Sequence, residues 1–71
     1  MMPGFSEQVM AVPLRYTRPG GRVCVEADFK GETYAFAHGP PPTLFEGWEK
    51  VAYEMCEHKV RTRLAQLIHG E

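Results

Sequence analysis

Cysteine is scarce in this chain, with only Cys24 and Cys56 among 71 residues. Two thiols are too few for the disulfide lattice of a small secreted domain, so a reducing, cytoplasmic compartment is expected. Net charge is nearly missing as well, at −1, which removes any bulk attraction to nucleic acid or anionic lipid. No apolar run approaches the roughly 20 residues of a membrane span. Residues 1–6 carry neither a basic region nor an apolar block, so no secretory leader and no membrane partner are expected. A glycine-rich phosphate loop is lacking too: Gly20-Gly21 stands between strand-like segments rather than ahead of a helix.

What is present is globular. Hydrophobic residues make up 44% and charged residues 24% of the chain, a balance that excludes wholesale disorder. The length allows one small domain, residues 1–71. A chain this short buries only about 60% of its unfolded surface, and oligomerisation is a common remedy.

Residues 9–17 alternate, with Met10, Val12, Leu14 and Tyr16 on one side, the period of a half-buried strand. Pro13 cannot donate to a ladder and places that strand at a sheet edge. Arg18-Pro19-Gly20-Gly21 is a turn. Residues 22–29 form the clearest strand, with Val23, Val25, Ala27 and Phe29 alternating against Arg22, Cys24, Glu26 and Asp28. Lys30-Gly31 fits a two-residue hairpin. That turn sets Phe29 opposite Glu32, Ala27 opposite Tyr34, Val25 opposite Phe36 and Val23 opposite His38. The first loop, read as residues 18–21, sets Thr17 opposite Arg22 and Tyr16 beside Val23. Both turns then place the large apolar residues on one side. The expected fold is α+β: a three-stranded antiparallel β-meander over residues 7–38, packed on one long C-terminal helix over residues 43–69 (β-β-β-α). The opposite sheet face, with Ala11, Pro13, Cys24, Ala35 and Ala37, is expected to be solvated, with a partner surface as the alternative.

The helix follows Pro40, Pro41 and Pro42. Thr43 and Glu46 have capping-box spacing, and Gly70 ends the segment. Its wheel shows one apolar side, Leu44, Phe45, Trp48, Val51, Ala52, Met55 and Cys56. A second row, Tyr53, Cys56, Val60, Leu64 and Leu67, is displaced by roughly a quarter turn. A strand of about seven residues reaches roughly 23 Å, whereas this helix reaches roughly 39 Å, so its end should overhang. Either the helix breaks near residues 58–61, or its late row packs against a second copy. The lack of Gly or Pro there favours a homodimer through Tyr53, Val60, Leu64, Leu67 and Ile68.

Candidate chemistry is thin. Cys24 and His38 fall on opposite sheet faces. Cys24, Cys56, His38, His58 and His69 lack the spacing of a zinc site, so no metal and no cofactor is expected. With no nucleophile and base brought together, and little room for a closed pocket, a non-enzyme is expected. Two charged sets remain. Glu26, Asp28, Glu32, Glu49 and Glu57 suit a basic partner surface. Arg15, Arg18, Arg22, Lys59, Arg61 and Arg63 suit phosphates.

Two resemblances bear on the second set. With Val23-x-Val25, Gly31 and Gly39 at strand and turn positions, the order strand, strand, strand, helix is similar to the later part of a double-stranded-RNA-binding domain. That family's leading helix and lysine pair are missing; Thr43-Leu44-Phe45-Glu46 stands where the lysines would be. The stretch from Gly20-Gly21 to Thr43-Leu44-x-Glu46 also resembles small antitoxins of partial RNase-H type, without their proline–glycine–cysteine turn. Both imply a nucleic-acid-binding or antitoxin-like regulator. The leading expectation is instead a small interaction or inhibitor protein that occludes a protein partner. Chains of this economy are frequent among phage and mobile-element products, including anti-CRISPR proteins.

Overall fold

The computed structural model describes residues 4–70. The order is α1 (Glu7–Met10), β1 (Arg15–Thr17), β2 (Val23–Phe29), β3 (Glu32–His38) and α2 (Trp48–His69). The three strands make one antiparallel sheet in the order β1-β2-β3. The long C-terminal helix lies across one face of that sheet, so the fold is the expected α+β meander and helix, preceded by one extra helical turn.

The β2–β3 hairpin forms in the expected register, Phe29 opposite Glu32 through Val23 opposite His38. Lys30 and Gly31 both have positive φ, 51° and 81°, the tight turn whose twist matches paired strands. The first hairpin differs. Thr17 lies opposite Cys24 and Tyr16 opposite Val25, two residues from the expected pairing. A short 3-10 turn at Pro19–Gly21, closed by Arg22 N–H to the Pro19 carbonyl at 3.2 Å, leaves Arg18 and Arg22 outside the β1–β2 ladder. A shift of two preserves the face of every side chain, so Tyr16 still stands on the side of Val25.

The strand expected over residues 9–17 is mostly absent. Ser6 caps α1, its Oγ accepting from Val9 N–H at 3.3 Å, and the meander starts at Arg15 instead of residue 7. Val9 is fully buried while Met10 is exposed, the reverse of the alternation read from the sequence. The late start of α2 is a second correction. Gly47 holds φ at 84° and caps the helix without a side-chain bond, so Thr43 and Glu46 form no capping box there. Trp48 N–H reaches only the Phe45 carbonyl, at 3.2 Å, in a turn before the helix proper. Gly70 closes α2 as expected, with φ 73° and its N–H on the Gln66 carbonyl at 2.8 Å.

Helix α2 runs unbroken, and one row of it is buried: Trp48, Ala52, Cys56, Val60 and Leu64. Each member stands four residues on, so the row winds by roughly 40° per step at 3.6 residues per turn. What reads as two stripes on a wheel is one stripe winding around the helix. Its late part belongs to the same core as Val9, bordered by Phe5, Val12, Leu14 and Ile68. Arg61 pins this arrangement, donating through Nη1 to the carbonyls of Val9 and Val12 at 2.7 and 2.9 Å. Ser6 Oγ and His69 Nε2 meet at 2.8 Å nearby. The expected overhang is therefore covered from within. Val60 and Leu64 have no exposed surface to offer a second chain, Tyr53 and Ile68 pack against the core, and only Leu67 is open.

Candidate functional site

Neither charged set gathers into a surface. On the outer sheet face Arg15 forks onto Asp28, with Nη2 3.1 Å from Oδ1, and its Nε lies 3.5 Å from Glu26. Asp28 also accepts from Thr33 at 2.7 Å. The Arg15 bond and then the Thr33 bond hold the Asp28 carboxyl below its usual range. Arg18 pairs with Glu49 at 3.2 Å and stacks over Trp48, 5.5 Å from the ring centre. Arg22 lies against Gly39, where a Cβ would stand 2.9 Å from its Nη1. Glu57 is beside Tyr16, whose phenol is raised mainly by partial burial and then by that carboxylate. Glu32 stands apart, at the β2–β3 turn.

The late-helix cations divide in the same way. Residues four apart share a helix face, whereas residues two apart oppose each other. Lys59 and Arg63 line a cleft with Phe36 on the β3 side, while Arg61 turns toward α1. The six cations expected to form one phosphate-binding set thus point in several directions, and Arg15, Arg18 and Arg61 are already engaged. The acidic set is dispersed too, with Glu26, Asp28 and Glu49 in ion pairs. Cross-strand ion pairs are the ordinary reading of Glu26 and Asp28 beside Arg15 and Arg22; Arg15 makes them, whereas the Arg18–Glu49 pair depends on the loop after β1 and is not legible in the sequence.

The thiols are equally committed. Cys24 and Cys56 are free and buried, and burial pushes the Cys56 thiol up, away from the thiolate that nucleophilic chemistry needs. His38 spends Nδ1 on the Gly39 carbonyl at 2.7 Å. Among the described residues, no three His, Cys, Asp or Glu side chains are placed to share a metal ion. No described helix is long and apolar enough to cross a membrane.

The uncommitted feature is apolar. Leu44, Phe45, Val51 and Met55 are 66, 51, 47 and 43% exposed. They were expected in the core with Trp48. Helix α2 begins only after the left-handed Gly47, which leaves Leu44 and Phe45 ahead of it, and Val51 and Met55 each precede a buried residue by one position, about 100° around the axis. Phe45, Val51 and Met55, with Pro41, His38, Trp48 and Ala52, line a groove of about 170 Å³ at the C-terminal end of β3. The width of the early apolar stripe was the available signal: one sheet face buries only part of so broad a stripe.

Gly47-Trp48-Glu49-Lys50 stand at the start of α2, with no lysine pair there. No family model matches this chain, and no curated protein or solved structure is significantly similar to it.

Proposed function

We propose that this protein is a non-catalytic binding module that covers a surface of a protein partner with the apolar groove at Phe45, Val51 and Met55. The supporting observation is that three large apolar side chains, Phe45, Val51 and Met55, are exposed along one groove on a domain this small. Such patches mark association sites more often than idle surface. A rim of Glu54, His58 and Lys59 beside this apolar centre gives the usual anatomy of a protein interface, with a dry middle and a polar border. The occupant is a partner that offers an apolar anchor side chain to fill the groove between Pro41, Trp48 and Met55. Occlusion of a host or defence complex is the special case named above for phage and mobile-element products.

Affinity capture with the wild type and with a Phe45→Asp, Met55→Asp variant tests this reading. The two substitutions lie on exposed positions and should leave the melting transition cooperative. The proposal expects a specific protein to be retained by the wild type and lost with the variant. Equal retention by both, or capture of nucleic acid that weakens steeply with salt, would refute it.

A further inference from the structure

We propose that β3 is a self-association edge, pairing antiparallel with β3 of a second copy about a two-fold axis at Ala35. The sheet order leaves β1 and β3 as edges. Edge strands expose a row of unpaired backbone groups, and proteins normally blunt them by shortness, proline, inward lysine or a bulge. Strand β1 is blunted: it has three residues, and Pro13 stands just ahead of it. Strand β3 has seven residues, Glu32–His38, with neither proline nor lysine, in an unbroken register with β2. Among the described residues, no backbone hydrogen bond reaches β3 from outside the sheet.

The sequence of β3 is complementary to itself. Full antiparallel overlap sets Glu32 opposite His38 of the second copy, Thr33 opposite Ala37, Tyr34 opposite Phe36, and Ala35 opposite Ala35. The register with β2 puts Glu32, Tyr34, Phe36 and His38 on the face that α2 covers, and Thr33, Ala35 and Ala37 on the open face. Each end then joins a carboxylate to an imidazole, each aromatic meets an aromatic, and the open-face centre holds only small side chains. Slipping the pairing by two residues one way sets Glu32 against Phe36 and His38 against Lys30; slipping it the other way sets Glu32 against Pro40, which has no N–H to donate, and leaves no carboxylate opposite an imidazole, so the full overlap is preferred.

The helices are compatible with this pairing. Helix α2 rests about equally on β2 and β3, hence above the gap between them. With strands about 4.8 Å apart, two copies would bring their α2 axes to roughly 10 Å, an ordinary helix-packing distance. Lys59 and Arg63 lie on the flank that turns toward the axis, so association needs enough salt to screen them, about 150 mM. The result is a six-stranded sheet with a helix from each copy on one face. This replaces the dimer expected through Val60 and Leu64. Its test is separate from the partner reading, because strand-to-strand cross-links form without any other protein, although Val51 and Met55 stand on the same helix row as Lys59.

Single cysteines placed in a Cys24→Ala background of the full chain provide the test, since Cys24 stands directly opposite Ala37 and would bridge to a cysteine there, Cys56 is buried, and Ala35 and Ala37 are exposed. At the axis, residues directly opposite have Cα atoms roughly 4.5–5.5 Å apart, within disulfide reach. Under mild oxidation Ala35→Cys should form a covalent dimer roughly tenfold faster than Ala37→Cys, whose copies stand out of bridging range. The double variant Thr33→Cys, Ala37→Cys should recover rapid cross-linking. Sedimentation of the wild type should show dimer at submillimolar concentration. A wild type that stays monomeric there, an Ala35→Cys that does not cross-link, or an Ala37→Cys that cross-links as fast overturns the proposal.

Discussion

Arg61 stands on the flank of α2 that faces α1 and carries two carbonyls, those of Val9 and Val12. A cation that satisfies backbone acceptors in a partly buried place is worth more than an exposed ion pair. Arg61→Ala should therefore cost about 2 kcal/mol, read as a lowered urea midpoint. Arg63→Ala, two positions on but exposed and without an ion pair among the described residues, should stay within about 0.5 kcal/mol of wild type. Equal losses would mean that α1 is not fastened as described. Asp28 gives the second prediction at this scale. Its carboxyl is lowered by Arg15 and Thr33, so the folded chain holds this proton less tightly than the unfolded chain. Its stabilising share is complete above the unfolded value of about 4 and is lost as pH falls through the lower folded value. Melting temperature should fall over that acidic window in the wild type, and Asp28→Asn should flatten part of the fall. An identical slope in both would exclude Asp28 as a contributor.

The elements show where the sequence was legible. The β2–β3 hairpin was, down to each pair, because a Lys-Gly turn and an apolar alternation specify one register together. The end of α2 was legible from Gly70. Its start was not: Thr43 and Glu46 have the spacing of a cap, yet Gly47 in the left-handed region breaks the chain before a helix can form over them. Thr43→Ala should thus cost less than about 0.5 kcal/mol, where a working cap costs about 1. Gly47→Ala should cost about 1–2 kcal/mol, the penalty of a side chain in that conformation. The reverse ranking in thermal melts would restore the longer helix. Helix α1 is not legible because one turn is too short to show a period, and residues 9–12 fit an alternating pattern equally well. Missing α1 made the late row of α2 look unpartnered. The groove was hidden for a related reason: Leu44 and Phe45 count as helix-face residues only if the helix begins at residue 43. Val9→Ala removes two buried methyl groups from the joint core, a loss of about 2 kcal/mol, or roughly 8–16 °C in a domain of this size. A loss below a third of that would show that α1 does not close the row.

The whole molecule is a plate. Its extents are 37 × 33 × 17 Å, and its radius of gyration is 13.1 Å, against about 11 Å for a compact chain of this length. Two layers over so short a chain leave much surface per residue. The open sheet face is occupied by the Arg15–Asp28–Thr33 bonds and small side chains, whereas the groove end of α2 leaves large apolar groups in water. Under the proposed function, partner binding falls at one end of the helix side, and the outer sheet face is left to solvent. Photo-cross-linking tests that assignment most directly. A photoreactive phenylalanine analogue is placed at Val51 in one preparation and at Asp28 in another, and each is irradiated in the lysate used for capture. The account predicts one discrete protein adduct from position 51 and none from position 28. Adducts from position 28 with none from position 51 would contradict it and move the interface to the sheet.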